Sequence, residues 1–165
     1  VYTFALREGK ATIDDMVDAL EMPRTTAYSD TGTLVELGVL TRDEEQKTHT
    51  YSAVPLTLTA NLDGDEYTVT PTLIAAFGRS PRDQDLDLLL EKHGLGKLAA
   101  ALTYAIPYAE GEMSERVAAR ELGLQYAFAI AVLQALREVV LDMQSVDPHF
   151  EDIRSAREQP AEAED

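Results

Sequence analysis

Residues 12–40, TIDDMVDALEMPRTTAYSDTGTLVELGVL, constrain this chain more than any other stretch. The run predicts two helices, a tight turn between them, and a glycine stop that leads into a strand. Thr12 can cap the first helix, and Asp15 follows three residues later, where its carboxylate reaches back to open backbone N–H groups. Ile13, Met16, Val17 and Leu20 recur at helical spacing and make one apolar face. Glu21-Met22-Pro23 interrupts that pattern. Pro23 suits the first turn of a new helix, where its missing N–H costs nothing. Ala27, Thr31, Leu34 and Leu37 then form a second inward face. Gly38 stands where a helix ends in a left-handed residue, and Val39-Leu40 begins an extended segment.

These residues resemble the helix-turn-helix of winged-helix transcription regulators. PRTTAY is similar to the opening of their recognition helix, and LVELGVL to its end and the step into the wing. In that family the second helix lies in the DNA major groove with its N-terminal side chains on base edges. The resemblance therefore implies that Arg24, Thr25, Thr26, Tyr28, Ser29 and Thr33 face DNA, and that residues 1–8 form the first helix, ended by Gly9. The chain departs from the family at four places. Glu21 replaces the usual turn glycine, Asp30 and Gly32 replace polar or basic residues, and Thr31 replaces a larger apolar one. SDTGT is a poor helix former for mid-helix, and Asp30 would repel phosphate.

Residues 41–54 read as a strand, a polar turn and a β-rich strand, as a wing requires. Arg42, Lys47 and His49 lie beside the turn, where the resemblance implies contact with phosphate or the minor groove. Pro55 ends the strand. Two further strand-like runs, 56–60 and 66–70, flank Asp63-Gly64, a hairpin signal. The acids of that turn do not make a calcium loop, because the glycine is misplaced and no glutamate closes it. Pro71 starts a helix over roughly 72–77, and residues 78–82 mark a boundary.

The second half reads as all-helical. Ser80 or Asp83 caps a helix that runs to His93, with Leu86, Leu89 and Leu90 on one side and Asp83, Asp85 and Asp87 in its first turn, where the dipole favours acids. Residues 95–108 form an alanine- and leucine-rich helix closed by Pro107. Residues 114–124 carry a second helix-turn-helix signal through Ala119 and Gly123. The helix that follows, 124–141, is apolar nearly all round and has no basic residue in its first turn. It predicts a buried element used for packing or dimerisation. His149 sits in a short connector, and the acidic segment from 155 onward predicts disorder.

The charge bears on partners. Thirty acids against fourteen lysines and arginines give −16, with a pI near 4.4. Acids spread along the whole chain, a look similar to halophilic, haloarchaeal cytosolic proteins. Phosphate neutralisation supplies much of ordinary DNA affinity, but at molar salt that term is small, and binding leans on direct contacts. The 165 residues contain no cysteine, which fits a reducing cytoplasm, and no signal peptide or bilayer-length apolar run is visible. Catalysis has no support. Histidines 49, 93 and 149 lie far apart, no glycine-rich phosphate loop exists, and the serines lack a nucleophile elbow.

The expected fold is mainly α with a small β wing: an N-terminal winged helix-turn-helix domain (1–60), a hairpin and connecting helix (61–80), a C-terminal helical dimerisation or regulatory domain (81–153), and a disordered acidic tail (154–165). The expected function is a cytoplasmic, sequence-specific regulator of transcription that binds double-stranded DNA as a homodimer. No enzyme activity, metal, cofactor or membrane is expected. The alternative is a winged-helix protein-interaction module without DNA binding. A small-molecule effector, if used, would sit between helices 95–108 and 124–141.

Overall fold

The computed structural model describes residues 1–62 and 64–150. These residues are mainly helical, with two small two-stranded antiparallel sheets among them. It divides into two compact units, residues 1–56 and 57–165. The 61–80 segment, expected as a connector, thus belongs to the second unit, and the first ends a few residues before 60. The expected tail, 154–165, lies outside the described residues.

The first unit holds α1 (Tyr2–Glu8), α2 (Ile13–Leu20), α3 (Arg24–Glu36), β1 (Leu40–Asp43) and β2 (Thr50–Ala53). α2 begins with a full capping box. The Asp15 N–H donates to Thr12 Oγ1 at 3.1 Å, and the Thr12 N–H donates to Asp15 Oδ2 at 2.8 Å. Those two bonds satisfy amides that the first turn leaves open. Glu21 then turns the chain in a left-handed conformation, φ 49 and ψ 42. The geometry is the one a glycine would take, so the departure at Glu21 is accommodated at a strain of about 1 kcal/mol. Thr31 is buried, and its hydroxyl donates back to the carbonyls of Ala27 (2.8 Å) and Tyr28 (3.1 Å). A polar side chain inside this face therefore leaves nothing unsatisfied.

Phe4, Ala5, Ile13, Met16, Ala27, Leu40 and Tyr51 form the core of this unit, with Leu34 and Val35 packed against it. Leu37 does not join them. It caps α3 and is 69% exposed, because Gly38 (φ 78) ends the helix before another inward turn is complete. β1 pairs with β2 from Leu40↔Ala53 to Asp43↔Thr50. Ala11 and Tyr51 exchange backbone hydrogen bonds of 3.0 and 2.8 Å, and the Tyr2 hydroxyl donates to the Val54 carbonyl at 2.8 Å. The hairpin is thereby anchored on the segment that leads into α2.

The second unit holds β3 (Leu58–Leu62) and β4 (Asp65–Val69), then α4 (Pro71–Arg79), a short 3-10 turn, α5 (Gln84–Ala109), α6 (Glu115–Glu121) and α7 (Tyr126–Met143). Asp83 caps α5 as expected, accepting from the Asp85 and Leu86 N–H groups. The two helices expected over 83–93 and 95–108 are halves of α5, divided at Gly94, whose φ 79 and ψ 178 are not helical. Pro107 lies within the last turn of α5 and does not end it.

α7 buries Val132, Leu133, Leu136, Val139 and Val140 and packs on α4, α5 and α6 of the same chain. Its other side carries Gln134, Arg137 and Glu138 in solvent, so the helix is one-faced. α5 and α7, the helices between which an effector was expected, are in direct contact. Asp147, only 4% exposed, closes the bundle. Its Oδ2 accepts from the Thr72 N–H at 2.9 Å and from the Thr72 hydroxyl, and its Oδ1 accepts from the His149 N–H at 2.9 Å. Among the described residues no single helix is long and apolar enough to cross a membrane.

Candidate functional site

α3 begins at Pro23 without a side-chain cap, so its first amides are not consumed by a neighbouring side chain. Ala27 and Thr31 turn inward, which directs Arg24, Thr25, Thr26, Tyr28 and Ser29 outward. Tyr28 is 55% exposed, a large aromatic surface with no core to fill. Thr33 also faces solvent, but its hydroxyl donates to the Ser29 carbonyl at 3.1 Å.

The first turns of α3 and the β1–β2 hairpin meet. A cleft of about 270 Å3 is lined by Arg24 and Tyr28 from α3 and by Lys47, Thr48 and His49 from the hairpin, with Asp14 at the start of α2. Four of the nine residues expected to face DNA, Arg24, Tyr28, Lys47 and His49, therefore share one site. Thr25, Thr26, Ser29 and Thr33 lie outside the cleft on the open surface of α3. Arg42 is not part of it; on β1 it pairs with Glu44 at 2.7 Å.

The electrostatics are mixed. The Arg24 guanidinium is hydrogen bonded and ion paired to Asp14. That hydrogen bond, the Asp14 charge and a further interaction with the Tyr28 hydroxyl raise the Arg24 pKa above its ordinary value. Lys47 makes no ion pair among the described residues. Lys10 lies 3.9 Å from Asp43, so acids pair with three cations at or beside the hairpin, Lys10, Arg24 and Arg42. Asp30 is exposed farther along α3.

Asp14 is the charged residue of this cleft that sequence reasoning missed. It sits in the first turn of α2, where an acid already has a role against the helix dipole. Only the α2–α3 turn reveals that ten residues of chain bring it onto Arg24. Among the described residues no group of three His, Asp or Glu side chains is placed to hold a metal ion.

Comparison with known proteins reaches the second unit alone. Residues 80–145 match the model of a family of unknown function (DUF7437). The match takes in α5 and α6 and extends just past α7, and it does not include the cleft. No curated protein and no solved structure matches the chain.

Proposed function

We propose that the first unit is a winged helix-turn-helix domain that reads double-stranded DNA, with α3 as the recognition helix and the β1–β2 hairpin as the wing. The observation that carries this reading is the shared cleft of Arg24, Tyr28, Lys47 and His49. A helix N-terminus bearing an arginine and exposed hydroxyls, flanked by a hairpin that supplies a lysine, is the arrangement by which such domains reach base edges and phosphates together. The protein acts as a regulator of transcription. It works as a dimer, since one short helix reads few base pairs and two heads double the site.

The test is a binding titration of the full chain against the region upstream of its own gene, a scrambled control and genomic fragments, at potassium chloride from low to molar. Selective binding that survives molar salt supports the reading, and no selective binding at any salt overturns it. Arg24→Ala should weaken binding to the selected sequence by roughly 1–3 kcal/mol and relax its specificity at one position.

A second reading is favoured by the Asp14–Arg24 pair and the exposed Asp30. The same surface would suit a protein-interaction module whose arginine is already occupied. In that case DNA affinity is absent from the outset, and Arg24→Ala changes nothing in the DNA assay.

A further inference from the structure

The second unit contains a cavity of about 720 Å3, lined by the β3–β4 hairpin, α5 and the segment after α7. That volume suits a small organic molecule. Leu73, Ala99 and Leu102 give it an apolar lining, and Tyr67 adds an aromatic ring. Its charged and titratable lining is His93, Lys97, His149 and Glu66. Along the whole chain acids outnumber lysines, arginines and histidines 30 to 17. Around this cavity the balance is reversed, with three nitrogen bases to one carboxylate.

Two glycines of α5 make the space. Gly94, with φ 79 and ψ 178, adopts a backbone conformation essentially confined to glycine. It puts His93 at the end of one helical segment and Lys97 in the first turn of the next. Gly96 lets the hairpin come close, since a Cβ there would stand 2.4 Å from Cε1 of Tyr67. The tyrosine ring therefore rests on the bare backbone of α5. The Lys97 ammonium is directed toward Gly123, just past the end of α6, where a helix dipole also holds a cation. The exposed His93 imidazole is then the group best placed to meet a charged guest directly, with His149 also on the lining.

We propose that this cavity binds a small organic anion with an apolar body. The acid group meets His93 and His149, in the positive field of Lys97. The apolar body lies on Leu73, Leu102 and the Tyr67 ring. This site is separate from the α3 cleft and does not depend on the DNA-binding reading.

The test is a fluorescence titration of the full chain with anilinonaphthalene sulfonate and with its uncharged counterpart, phenylnaphthylamine. The sulfonate should saturate a single site and bind about tenfold tighter than the neutral probe, the scale of one charge-assisted contact. His93→Ala with His149→Ala should abolish that preference and leave the neutral probe's affinity unchanged. Ala100→Trp, at an exposed position on the cavity wall, should exclude both probes. Circular dichroism and thermal melting report whether each variant is folded, and His93→Ala alone, at an exposed residue, serves if the double variant is not. The proposal is overturned if the sulfonate does not saturate, if the neutral probe binds equally well, or if folded histidine variants keep the preference. No DNA enters the assay, so its failure leaves the α3 reading untouched.

Discussion

Arg24 is ion paired to Asp14 in the free chain and, on the proposed function, must exchange that partner for another. Asp14 holds its guanidinium and adds a negative charge beside the surface that would face phosphate. Asp14→Asn removes the charge and weakens the hold, since the amide oxygen can still accept from Arg24. We expect the variant to bind its DNA up to about fivefold more tightly, the scale of an exposed ion pair, as read in the same titration as Arg24→Ala. An unchanged or weaker affinity would count against DNA reading by Arg24. Asp15, the next residue, acts on stability. The Thr12 backbone hydrogen bond, followed by that of the Thr12 side chain, holds the Asp15 pKa below the ordinary carboxylate value. A carboxylate with a depressed folded pKa stabilises the fold above its unfolded pKa, about 4. That contribution fades as pH falls through the folded value. Melting curves of the native chain and of Asp15→Asn should differ at neutral pH and converge as pH falls through the lowered Asp15 value. Curves that stay parallel throughout the acid range would refute the capping role. Residue types were readable here from the sequence alone, since Thr12 and Asp15 have the spacing of a capping box. The Asp14–Arg24 contact was not, because it depends on the turn angle at Glu21.

Elements whose signals are local were legible. The starts of α2 and α5 follow from Thr12 and Asp83, and the end of α3 follows from Gly38. The paired strands follow from alternation and the turn residues between them. Signals that depend on neighbouring elements were misread. Leu37 has the spacing of a core residue, but it falls on the last turn, where the helix stops short of the core. By contrast, the 83–93 and 95–108 helices were legible as two because glycine breaks the pattern, and Gly94, with its non-helical φ and ψ, divides α5 at that point. The cavity beside the β3–β4 hairpin had no signal in the sequence, because it depends on Tyr67 coming against Gly96 from a distant element. Gly94→Ala tests the bend. A side chain at φ 79 and ψ 178 costs about 1–3 kcal/mol, which urea denaturation should register as a lower midpoint with an unchanged slope. A neutral result would mean that α5 can run straight.

At the scale of the molecule, the two units carry different parts of the proposed activity. The first holds the cleft, and the second holds the cavity and the family match. Dimerisation can be read by sedimentation equilibrium. The chain has a mass of 18.1 kDa, and the proposed regulator should sediment at twice that value over the micromolar range; a monomer at all concentrations would remove the two-headed model. The second unit also depends on one distant contact. Asp147→Ala leaves the Thr72 amide and hydroxyl without their acceptor in a buried position, at a cost of about 1–3 kcal/mol. A shift of the thermal midpoint by a few degrees would register it. The two ends of that contact are separated by 75 positions in the chain. On the ribosome, α4 is synthesised long before the carboxylate that completes its first turn, and at 5–20 residues per second that lag lasts about 4–15 seconds. The nascent second unit must therefore hold α4 incompletely bonded until α7 has emerged, and any pause in translation between the two lengthens the interval in which it is open to a chaperone or a protease.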